Sequence, residues 1–178
     1  MSDSFLIKDG VLGIRNKTDL HNFISQLDNK EYDFSELVDL FLSDNLRICQ
    51  SASWPMGIFA AENPDIVIPY LDKILTQLDK APHDAYVRNT FRFLQFMDVP
   101  EAFQGKVYEK CFDALINTSA PTAIKAFALT TLSNLAMKLP ELKEELIEAI
   151  YEQIPYGTSG FQNRAKKEIN RLSRKSSS

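Results

Sequence analysis

The chain has 178 residues, with 20 Lys and Arg against 24 Asp and Glu, for a formal net charge of −4. Hydrophobic residues at 44% and charged residues at 25% exclude a fibrous or disordered chain, and the length suits one domain with a core that needs no staples. The acidic balance argues against attraction of the whole molecule to nucleic acid or anionic lipid.

Residues 1–16 place Phe5-Leu6-Ile7 and Val11-Leu12-Gly13-Ile14 on either side of Lys8-Asp9-Gly10. Asp-Gly between two apolar runs suits a small hairpin, and an apolar arm lying on the first helices suits the pattern equally well. No basic stretch leads into an apolar one here, so no signal peptide is expected. No apolar run along the chain reaches the ~18 residues that cross a bilayer.

From Thr18 the pattern is helical. Leu20, Phe23, Ile24 and Leu27 form one stripe, and Asp33 with Glu36 three residues later forms a cap and its reciprocal partner ahead of Leu37, Leu40 and Phe41. Helical periodicity continues over 45–61, 65–79, 84–97, 101–117, 121–138, 141–154 and 160–173. This predicts about nine helices and no interior strand. Cys49 and Cys111 each sit among apolar residues, which fits buried thiols in a reducing, cytoplasmic setting rather than a disulfide framework.

The joints between helices repeat. Asn63-Pro64-Asp65, Val99-Pro100-Glu101 and Leu139-Pro140-Glu141 each end a helix with Pro followed by an acid, at intervals of 36 and 40 residues. Pro suits the first position of a helix because its missing N–H would have no partner there, and the acid meets the positive helix end. Pro64, Pro100 and Pro140 are therefore expected to start the second helix of successive pairs. A period near forty made of two helices is the mark of stacked pairs, each burying its face only on its neighbours. Pro55 is expected to bend its helix, and Pro69 to mark a helix start after an irregular turn at 64–68.

Val87-Arg88-Asn89-Thr90-Phe91-Arg92-Phe93-Leu94 and Ile124-Lys125-Ala126-Phe127-Ala128-Leu129 resemble the first-helix pattern of HEAT repeats, an aliphatic residue, a basic residue and then small and apolar positions leading to Leu. The resemblance covers about residues 45–154. It implies an all-α, right-handed superhelix of HEAT/armadillo-like helical pairs, occupying 17–173 as a single solenoid domain, with 174–178 as a disordered tail. Such solenoids mostly serve as binding scaffolds, and their basic position, here Lys125, is usually structural.

Arg88 and Arg92 stand one turn apart with Asp84 a turn earlier, so they either face an acidic partner or bridge neighbouring acids. In the last helix Phe161, Ala165, Ile169 and Leu172 form a stripe, with Arg164, Lys167, Arg171 and Arg174 opposite. Residues 161–178 hold six basic residues and one acid, a local +5 that leaves −9 on the rest of the chain. A basic helix of this kind meets an acidic partner or nucleic acid, or caps the solenoid with a solvated face. Trp54, beside Ser51-Ala52-Ser53, is expected in the core between closely packed helices. Gly157-Thr158-Ser159-Gly160 suits a linker and N-cap.

No catalytic, metal-binding or cofactor motif is legible, and with only two histidines, His21 and His83, general acid-base chemistry at neutral pH would need unusual help. The expectation is a non-enzymatic module, without cofactor, that binds a protein or peptide and works as a monomer or weak homodimer away from membranes. The alternative is a nucleic-acid-associated protein, similar to HEAT-like DNA-alkylation-repair proteins, using Arg164, Lys167, Arg171 and Arg174 with Arg88 and Arg92.

Overall fold

Apolar residues three and four apart become helices throughout a computed structural model of the chain, which describes residues 3–28, 33–80 and 83–174. The order is α1 (Asp3–Gly13), α2 (Lys17–Asp28), α3 (Phe34–Phe41), α4 (Leu46–Glu62), α5 (Pro64–Val67), a 3-10 turn (Ile68–Tyr70) and α6 (Leu71–Leu78). There follow α7 (Asp84–Leu94), α8 (Glu101–Ile116), α9 (Thr122–Lys138), a 3-10 turn (Pro140–Leu142), α10 (Lys143–Gln153), a 3-10 turn (Ile154–Tyr156) and α11 (Ser159–Leu172). No strand occurs among the described residues.

The hairpin alternative for residues 1–16 is corrected: Asp3–Gly13 is α1, and Asp9-Gly10 lies within it rather than at a turn. Ile7 and Val11, four apart, are fully buried, and α1 packs on α3 and α4, so burial of that stripe overrides the local turn preference. The chain forms two compact units, Met1–Asp98 and Val99–Ser178. Residues 175–178, most of the expected tail, lie outside the described residues.

In the Met1–Asp98 unit α4 is the hub, packing on α1, α2, α3, α5 and α7. A helix approached from several sides needs narrow side chains for close contact, and Ala52 and Ala60 serve this beside the buried Met56 and Phe59. Pro55 lies buried inside α4 without ending it. Phe41 stacks at a tilt on Tyr86 with ring centres 4.8 Å apart and meets Phe93 edge-on at 5.9 Å. The Tyr86 hydroxyl donates to the Ile74 carbonyl at 2.8 Å, so this large ring is buried with its polar atom satisfied. Asp33 caps α3 by accepting from the Ser35 N–H, whereas Glu36 leaves Oε2 unpartnered and does not close the reciprocal box.

In the Val99–Ser178 unit α9 is the hub, packing on α8, α10 and α11. Ala128, Leu129, Leu132, Leu135 and Ala136 bury on it, with Val107, Cys111 and Leu115 of α8, Leu146 and Ile150 of α10, and Phe161 and Leu172 of α11.

Only one of the three Pro joints takes the expected form. Pro64 is the first residue of α5, but Pro100 is the extended N-cap of α8, and Pro140 opens a 3-10 turn ahead of α10. Fixing φ while leaving ψ free lets Pro serve at the cap as well as inside the first turn. Pro69 sits within the 3-10 turn that breaks 64–78 between α5 and α6. Cys49 and Cys111 are free and buried, as their apolar surroundings predict.

Candidate binding surfaces

On α7 the residues Ala85, Tyr86, Asn89, Thr90, Phe93 and Leu94 turn inward, which leaves Asp84, Arg88 and Arg92 on one exposed face. His83 caps this helix, its Nδ1 accepting from the Tyr86 N–H at 3.2 Å, which is a structural use of one of the two histidines. No ion pair links Asp84 to either arginine among the described residues. The α7 face is therefore an exposed row of charge with no ion pair among the described residues.

Trp54 departs from its expected place in the core. It is 37% exposed and lines a groove of about 200 Å³ with Gly57, Ile58, Ala61, Arg92 and Phe96, all within the Met1–Asp98 unit. Its helix phase explains this: Pro55, Met56 and Phe59 take the buried side of α4, and Trp54 and Gly57 fall on the side that only Arg92 and Phe96 partly cover. Phe96 escaped the sequence-based reading. It follows Phe93 by three residues, which predicts the same buried face, but α7 ends at Leu94 with Gln95 as its C-cap. The chain then turns, leaving Phe96 56% exposed.

The stripe on α11 forms as expected, with Phe161, Ala165, Ile169 and Leu172 buried. Thr158 caps this helix by accepting from the Phe161 N–H, in agreement with the linker-and-cap expectation. The four basic residues divide. Arg164 donates from Nη1 to the Ala126 carbonyl and to Thr130 Oγ1, both at 3.1 Å. Arg171 pairs with Glu168 at 3.2 Å and donates to Asn134 Oδ1 at 2.8 Å. Each stands one residue before a buried position of the stripe, at its edge, and long guanidinium side chains there fold onto α9 rather than away from it. Arg164 and Arg171 are thus half-buried and bonded to α9, whereas Lys167 and Arg174 are exposed.

Lys125 and Arg88 occupy matching places in the two HEAT-like segments but opposite environments. Arg88 is exposed, whereas Lys125 is only 8% exposed. The Lys125 ammonium donates to Gln153 Oε1 of α10 at 2.9 Å, and no carboxylate pairs with it among the described residues. Burial without a countercharge pushes its pKa down. Burial pushes the Cys111 thiol up, and it raises Cys49 to about 11 despite the opposing hydrogen bond with Ser53. Both thiols are therefore inert rather than nucleophilic.

No group of three or more His, Cys, Asp or Glu among the described residues is arranged to hold a metal ion. No helix among them is long and apolar enough to cross a membrane.

No curated protein and no solved structure matches the chain. A model of the HEAT repeat domain matches residues 8–163, a span that begins in α1 and ends in α11 and takes in both hub helices. HEAT repeats are all-α and generally non-enzymatic. By this match and by its helical pairs, the chain belongs to the HEAT repeat family.

Proposed function

We propose that this chain is a non-enzymatic interaction module whose Met1–Asp98 unit docks a peptide segment of a partner protein. The groove walled by Trp54, Phe96 and Arg92 carries the proposal. Trp and Arg are the side chains that most often anchor interfaces, because they combine large apolar area with a directional polar group. At about 200 Å³ the groove falls below the range of small-molecule sites and suits one large apolar side chain of a partner. Arg92 at its edge and Arg88 one turn away favour an acid beside that anchor.

Retention of partners from source extract by the wild-type chain, compared with Trp54→Ala, Phe96→Ala and Arg92→Glu, tests this. The expected result is a partner held by the wild type and lost by all three variants at unchanged melting temperature. Equal retention by the variants, or substrate turnover by the purified chain, overturns it.

Nucleic-acid association through α11 has less to support it, since Arg164 and Arg171 are held by α9. A cytoplasmic location is part of the proposal and rests on the two unpaired thiols of Cys49 and Cys111.

A further inference from the structure

Lys125 does more than brace α9 against α10. It lines a cavity of about 340 Å³ in the Val99–Ser178 unit, together with Thr122 at the start of α9, Gln153 at the end of α10, and Tyr156, Gly157 and Phe161. An ammonium group has three donors, and Gln153 takes one of them. The residue is 92% removed from solvent by the fractional exposure of 8%, and it lacks a countercharge among the described residues. A buried cation in that state is costly unless an anion reaches it.

The start of α9 adds to the demand. Its N-cap is Pro121, which offers no side-chain cap, and the Pro121 carbonyl receives only the Ile124 and Lys125 N–H groups. The Thr122 and Ala123 N–H groups therefore have no partner within the described chain. They stand at the positive end of a 17-residue helix, in the turn that precedes Lys125, and Thr122 lines the cavity. The remaining walls differ in character. Phe161 is buried, whereas Tyr156 is 82% exposed, so the cavity offers an apolar ring on its wall and a second ring open to solvent.

We propose that this cavity binds a small organic anion, its carboxylate or phosphate group held by the Lys125 ammonium and the open start of α9, and its body placed against Phe161 and Tyr156. The site is independent of the Trp54 groove, and failure of either leaves the other standing.

Titration of the ¹⁵N-labelled chain with benzoate, phenyl phosphate and the neutral isostere benzamide tests the proposal. Benzoate or phenyl phosphate is expected to give saturable shifts at the Thr122, Ala123 and Gly157 amides, and the stronger of the two identifies the headgroup. Benzamide is expected to bind at least about tenfold more weakly, as is benzoate to Lys125→Met, because a charge-assisted hydrogen bond is lost in each case. Gln153→Glu gives a second variant whose fold is safe, since it supplies an internal countercharge to Lys125. It is expected to keep or raise the melting temperature and to weaken both anions about tenfold. Absence of saturable shifts in the wild type, benzamide binding as tightly as benzoate, or undiminished binding in Gln153→Glu overturns the proposal.

Discussion

The guanidinium carbon of Arg164 stands 5.7 Å from the centre of the Phe127 ring, so α11 is held on α9 by a cation over an aromatic face as well as by hydrogen bonds. Replacing Arg164 with Ala removes the ring contact and both Nη1 hydrogen bonds, although the Thr130 hydroxyl still donates to the Ala126 carbonyl. The expected cost is about 2 kcal/mol in chemical denaturation. Arg164→Lys keeps the charge but loses the planar group that lies over the Phe127 ring while Nη1 bonds beside it, and should still cost about 1 kcal/mol. A cost near zero for both variants would return Arg164 to the exposed surface.

Gly157 illustrates a constraint of space. A Cβ built there would meet Cδ1 of Phe161 at 2.4 Å, closer than any real contact, and Phe161 is a buried anchor of α11. Gly157→Ala is expected to displace that ring and lower stability by about 1–3 kcal/mol. The same shift reshapes the cavity beside Lys125, so the amide resonances of Thr122 and Gln153 should move in this variant without any ligand. A thermal melt and a single spectrum check both outcomes.

The buried acids predict how stability responds to alkali. Burial raises Cys49 from 9.0 to about 11 and raises Cys111 further. Burial, then the neighbouring Glu145 carboxylate and the hydrogen bond to it, raise Tyr108 from 10.0 to about 12. In each case the unfolded chain gives up its proton at a lower pH than the folded chain. The folded state therefore binds more protons across that window, and stability falls as pH rises. The lowered pKa of Lys125 acts in the opposite sense, as a single group against several. The urea midpoint should hold steady up to about pH 9 and decline from there towards pH 11, given the Cys49 values of 9.0 and about 11. In a Cys49→Ala, Cys111→Ala double variant the decline should begin nearer the ordinary Tyr value of 10.0. An onset that does not move would remove the thiols from this account.

Binding of duplex DNA measured across a salt series separates the two uses considered for α11. With Arg164 and Arg171 held by α9, no binding is expected even at low salt. Binding that weakens steeply with salt and disappears in Lys167→Glu, Arg174→Glu would reinstate nucleic acid as the partner, through the two basic groups still exposed on that helix.

The helices were legible because their information is local. Leu37 and Phe41, or Phe161, Ala165 and Leu172, announce a buried stripe by spacing alone, and each is buried. Residues at the edges of a stripe were less legible. Arg164 and Lys167 lie three apart, and which of them folds inward depends on what α9 offers at Thr130 and Ala126. Lys125 was legible as a structural position, but its cavity was not. Gln153, Tyr156 and Phe161 come from 28 to 36 residues further along, and nothing in their spacing announces that they converge. The first helix is obscured in the sequence for the reverse reason: Asp9-Gly10 is a strong local turn signal, and it yields to the burial of Ile7 and Val11.

Trp54 is the only tryptophan in the chain, and it stands on the groove wall, partly open to water. The protein thereby carries a built-in optical reporter. Its indole emission arises from the Met1–Asp98 unit alone and is open to quenching by a small solute. An occupant of the groove should shift that emission to the blue and shield it from the quencher. A single fluorescence cuvette can thus follow occupancy of the groove with no label attached.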